Sequence, residues 1–90
     1  GAWKGERLFS EQWIERLRTP SKANPGYGYM WWLNTGRQAV KAAPESAYCA
    51  MGFGGNYIFV DEQNDLVVVV RWMPRIDDFV KIVYEALDMN

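Results

Sequence analysis

Few side chains in this sequence can do chemistry unaided. Histidine is absent, cysteine occurs once, at Cys49, and the serines are Ser10, Ser21 and Ser46. Without histidine there is no Ser-His-Asp or Cys-His nucleophile. One cysteine excludes an intrachain disulfide, and a structural zinc site lacks ligands. Cys49 lies in the apolar stretch AYCAMG, where burial raises a thiol's pKa and keeps it inert. Asp77 and Asp78 are adjacent; on a helix they point about 100° apart, so they suit a helix start better than a catalytic dyad. What remains is main chain. In MGFGGNYIFV three glycines, Gly52, Gly54 and Gly55, fall within four positions ahead of a strand-like run. Glycine weakens a strand, so it marks either a bulge or bend, or a place where another group must approach bare backbone.

The elements around that stretch can be read from pattern. Ser10 is a good N-cap for a helix that carries Glu11 in its first turn, groups Trp13, Ile14 and Leu17 on one face, and ends before Pro20. TPSKANPG is a loop. YGYMWWLN predicts a strand apolar on both faces, with Tyr27, Tyr29, Trp31 and Leu33 on one side and Met30 and Trp32 on the other. Its aromatics fit a core better than a ligand platform. TGRQAVKAAPES is a connection. AYCAMG and NYIFVD predict two strands with the glycines between them, and LVVVVRW a third that forms an antiparallel hairpin with NYIFVD. Beyond Pro74 an amphipathic helix is predicted over about 76–88, with Ile76, Val80, Val83, Tyr84 and Leu87 on its stripe and a Lys81–Glu85 surface pair. The fold class is α+β: an antiparallel sheet of three or four strands flanked by helices.

Ninety residues suit one domain, spanning 1–90. Ten basic against eleven acidic residues leave a net charge of −1, with no basic patch for nucleic acid. The longest apolar run, 66–70, is too short for a membrane segment. Hydrophobic residues make up 49% of the chain, more than so short a chain easily hides, so a homodimer through exposed apolar surface is expected.

In order, GAWKGERLFSEQWIERL, GYGYMWWLN, AYCAMGFGGNYIFVDEQNDLVVVVRW and a closing helix resemble the C-terminal part of the β-lactamase-like serine hydrolases. That family includes class C β-lactamases, penicillin-binding DD-peptidases and esterases. The likeness is greatest to the esterase and oligomer-hydrolase branch, whose A-x-G-x-G-G-Q pattern stands here as Ala50, Gly52, Gly54, Gly55 and Asn56, followed by the strand Asp65-Leu66-Val67-Val68-Val69. The resemblance implies hydrolysis of an ester or amide, β-lactams included, through an acyl-serine, with no cofactor. It places the family's third motif on Ala50-Met51-Gly52. Phe53 would donate its backbone N–H to the oxyanion hole, and Gly52, Gly54, Gly55 and Asn56 would border the substrate. The family's Ser-x-x-Lys is missing: three residues after the serines stand Trp13, Asn24 and Cys49. Ala50 replaces the usual Lys or His, so the motif lacks its charge for a substrate carboxylate. The expected partner is therefore the remainder of the hydrolase domain, without which the chain is inactive. A different reading is a standalone α+β module that binds a peptide or small ligand through its aromatic strand.

Overall fold

A computed structural model describes residues 2–87 of the chain. A short hairpin, β1 (Ala2–Trp3) and β2 (Glu6–Arg7), leads into helix α1 (Glu11–Leu17). The Ser10 hydroxyl accepts the Trp13 N–H at 3.0 Å, as its N-cap position predicts. A four-stranded antiparallel sheet follows in the order β3-β4-β5-β6: β3 (Trp32–Leu33), β4 (Tyr48–Gly52), β5 (Asn56–Asp61) and β6 (Leu66–Val70). Helix α2 (Ile76–Ala86) closes the described chain; of the span expected for it, residue 88 lies outside the described residues. The architecture is α+β, with both helices packed on the sheet. No helix among the described residues is long and apolar enough to cross a membrane.

Paired residues of neighbouring strands project to the same face. The row Cys49–Phe59–Val68 therefore faces α2, where it meets Ile76, Val80 and Tyr84 in the main core. The row Leu33–Tyr48–Val60 faces α1 and packs on Leu17 and Ile14. Helix α1 has only two turns and covers only that end of its face. Beyond it Ile58, Val67 and Val69 stand 44%, 61% and 65% exposed.

The aromatic segment departs from the expected strand. Only Trp32 and Leu33 join the sheet, and the chain before them folds back so that Tyr27 bridges Trp32. Met30 takes a left-handed φ of 62° in that turn. Gly28 is buried so tightly against the Leu17 carbonyl that a Cβ would collide with it, so this close approach needs glycine. The two-sided burial expected of the aromatics fails as well: of the six residues from Tyr27 to Trp32 only Gly28 is buried, Tyr29 and Met30 are largely exposed, and Leu33 alone enters the core. The Lys81–Glu85 pair does not form; among the described residues the ion pair at α2 is Arg75–Asp78.

Two polar anchors tie the layers together. The Tyr84 hydroxyl donates to the fully buried Asp61, whose carboxylate also accepts the Asn64 backbone N–H and side-chain amide. The Tyr48 hydroxyl donates to Glu62 at 2.7 Å, and Glu62 pairs with Arg18 just beyond α1. Burial and these carboxylates hold both phenols above their ordinary pKa near 10. Because each pKa is raised on folding, the stability involved is present below pH 10 and is lost as pH rises past it. Urea midpoints are expected to begin falling above about pH 9, where the buried Cys49 thiol is also held protonated, and to fall more steeply above about pH 10 as the phenols add to it. Tyr84→Phe should flatten that fall; an unchanged slope would contradict the assignment.

Candidate functional site

The glycine cluster forms the tip of the β4–β5 hairpin. Gly52 and Asn56 are the closing pair, and Phe53, Gly54 and Gly55 make the turn. Gly54 and Gly55 have φ of 86° and 84°, a left-handed conformation that glycine adopts without strain. The question of what comes close to bare backbone also has an answer within the chain. A Cβ on Gly54 would enter the Trp72 ring, and one on Gly55 would strike the Met73 carbonyl. The Gly55 carbonyl accepts the Met73 N–H at 2.9 Å. The segment following β6 thus lies across the turn and fixes it.

Asn56 completes the clamp. Its amide donates to the Phe53 carbonyl at 2.7 Å, and its Oδ1 accepts the Trp72 N–H at 3.3 Å. Both polar ends of Asn56 therefore hold the turn. The Phe53 side chain is 97% exposed, and its N–H has no main-chain partner among the described residues.

The turn continues an open edge. β3 pairs with β4 only at Tyr48 and Cys49, so Ala50, Met51 and Gly52 have no strand on that side among the described residues. Main-chain groups alternate in direction along a strand. Since the Ala47 carbonyl accepts the Asn34 N–H across the β3 side, the N–H and C=O of Met51 also point there, past the end of β3. A cavity of about 480 Å³ lies beside this edge, lined by Pro25, Gly26, Trp32, Gln38 and Met51. On the opposite face of the sheet a shallow groove of about 380 Å³ runs over Ala50, Ile58 and Val69, with Asn56 and Arg71 at its rim.

The titratable groups nearby are not poised for catalysis. Cys49 is buried against α2, and burial pushes its thiol up to about 11, so it stays protonated at neutral pH, as its apolar surroundings predict. Tyr48 keeps its proton on Glu62. Asp77 receives the Lys41 N–H at the start of α2, a structural role. No cluster of metal-ligating side chains occurs among the described residues. The site therefore offers main-chain donors and acceptors, an adjacent apolar cavity and a rigid turn.

Sequence reasoning locates the glycines but misses what immobilises them. Trp72 reads as the end of a strand, and nothing local links it to position 54. Comparison with family models, with curated proteins and with solved structures finds no match to this chain.

Proposed function

We propose that this chain is the C-terminal segment of a β-lactamase-like serine hydrolase. In this reading it supplies the strand that edges the active site and one main-chain donor of the oxyanion hole. The observation that carries the reading is the Phe53 N–H: it is unengaged among the described residues, and it sits on a turn locked by Asn56, Trp72 and Met73. A pre-positioned donor is what an acyl-transfer transition state requires. As the nucleophile attacks, the carbonyl oxygen gains negative charge, and an N–H that need not reorganise stabilises it by about 3–4 kcal/mol. The free N–H and C=O of Met51 would align an extended ester or amide along β4, as a short added strand. The Ser-x-x-Lys nucleophile and its base come from the remainder of the hydrolase domain, and the exposed Ile58–Val67–Val69 face gives that remainder an apolar surface to cover.

The open edge of β4 beside the Trp32 cavity also favours a second reading, a module that binds a peptide by strand addition without chemistry.

One experiment separates the two. The chain is mixed with an N-terminal hydrolase piece carrying Ser-x-x-Lys, and turnover of a chromogenic ester is followed. Mixing is expected to restore turnover. Phe53→Ala keeps the N–H and should retain activity, whereas Phe53→Pro removes it and should lower kcat about 10²–10³-fold with a smaller change in KM. Failure of the pieces to associate, association without turnover, or a fully active Phe53→Pro protein would each overturn the hydrolase reading. Peptide binding by the chain alone would then support the module.

A further inference from the structure

The outer edge of β6 is bare, and its sequence is self-complementary. β6 is the last strand of the sheet and, among the described residues, pairs only with β5. Edge strands are usually blunted by charge, proline or a bulge. β6 is Leu-Val-Val-Val-Val without interruption, with Asp65 before it and Arg71 after it, both exposed. Neither Asp65 nor Arg71 forms an ion pair among the described residues.

The hydrogen-bonding parity of the sheet fixes which groups the edge presents. Asn34 and Ala47 are bonded across β3 and β4, so Cys49 faces β3 while Tyr48 and Ala50 face β5. Carrying the alternation through the β4–β5 and β5–β6 registers, Leu66, Val68 and Val70 face β5, and Val67 and Val69 direct their N–H and C=O outward. An antiparallel strand laid on this edge must set outward groups against outward groups, so the possible registers differ by two residues. The one centred on Val68 places Val67 opposite the partner's Val69 and Leu66 opposite the partner's Val70. Asp65 sits in the turn before β6, with a left-handed φ of 54° and its N–H on the Glu62 carbonyl, so it flanks this ladder at the end where the partner's Arg71 follows its own strand.

We propose that β6 pairs with β6 of a second copy of this chain in this register, joining two four-stranded sheets into one continuous sheet. The occupant is a second copy because the edge complements itself in charge as well as in hydrogen bonding. Shifting the register two residues either way moves Asp65 and the partner's Arg71 apart along the edge and separates the opposite charges at both ends. Pairing also brings Val67 and Val69, 61% and 65% exposed, beside their counterparts and shields them from water. The inference does not rest on the hydrolase reading.

Sedimentation of the 90-residue chain over a range of concentrations tests it. The wild type is expected to show a reversible monomer–dimer equilibrium. Asp65→Arg alone and Arg71→Asp alone each replace two attractive pairs by two repulsive ones and should weaken dimerisation about tenfold or more. In an equimolar mixture of those two variants, one chain carries arginine at both positions and the other aspartate at both. Opposite charges then meet again at each end, so the mixture should form a heterodimer as strong as the wild-type dimer. The double variant Asp65→Arg/Arg71→Asp should dimerise like the wild type. A wild type that stays monomeric at all concentrations would overturn the proposal. So would single variants that dimerise unimpaired, or a mixture no tighter than its components. Amides of Val67 and Val69 that gain exchange protection only on addition of an N-terminal hydrolase piece would assign the edge to that piece instead.

Discussion

Asn34→Asp is expected to be among the most destabilising isosteric changes in the chain, lowering stability by about 3–5 kcal/mol at neutral pH. Asn34 is 1% exposed. Its two amide hydrogens are shared among the carbonyls of Val40, Ala43 and Pro44, at N···O distances of 2.9, 3.1 and 3.0 Å, and its Oδ1 accepts the Val40 N–H at 2.8 Å. One side chain thus organises the loop between β3 and β4 and seats Val40 and Ala43 in the main core. A carboxylate keeps the Val40 bond but turns a donor into a second acceptor facing three carbonyls, and buries a charge beside them. The sign of the pH dependence is distinctive. Burial against three carbonyls, with the Val40 N–H as its main-chain donor, raises the pKa of the introduced carboxyl above its unfolded value near 3.9, so the variant should recover stability as pH falls towards about 4. Urea unfolding at pH 7 and near pH 4 measures this. A variant within about 1 kcal/mol of wild type at pH 7, or one that weakens on acidification relative to wild type, would count against the clamp.

Phe59→Ala should cost about 3–5 kcal/mol. A chain of this length has roughly 5–14 kcal/mol in total, so the substitution removes a large share of it and should lower the unfolding midpoint markedly. Phe59 lies on a central strand, 1% exposed, with its ring edge-on to Tyr84 at a centroid distance of 6.5 Å. It touches both the sheet and α2, so its removal leaves a cavity that neither layer can close alone. Phe59→Leu should cost far less, about 1.5 kcal/mol, because volume is largely kept. Phe53→Ala, at a 97% exposed site on the same hairpin, should be neutral within about 0.5 kcal/mol. Thermal unfolding by circular dichroism ranks the three; a Phe53 effect as large as that of Phe59 would contradict the assignment of the core.

Much of the fold is legible in the sequence where local signals agree. Ser10 ahead of an apolar helical face, the valine-rich run Leu66–Val70 behind a polar turn, and acidic residues in the first turn of α2 each predict the element found. The segment 27–33 misleads because Tyr, Trp and Met favour strands by type, while its path includes a contact far along the chain, Gly28 on the Leu17 carbonyl. Asn34 gives no warning either: it reads as the last residue of the aromatic strand, and the carbonyls it binds lie six to ten residues on. At the candidate site the glycines announce an unusual backbone. That Trp72 and Met73 occupy the space their missing side chains leave is a tertiary fact. The network joining Asp61, Asn64 and Tyr84 is hidden likewise, since in sequence Tyr84 is one more residue of an apolar stripe.

On the proposed function, the amide at position 53 receives the negative charge that develops on an acyl oxygen. The most direct measurement is the nitrogen-15 and proton shift of Phe53 in the chain reassembled with its nucleophile-bearing piece, before and after a phosphonate ester phosphonylates the serine. A strong downfield shift of the Phe53 amide proton, with slowed exchange and little change at Gly54 and Gly55, is the predicted result. A Phe53 amide that keeps its shift and exchange rate while the serine is fully modified would contradict the account.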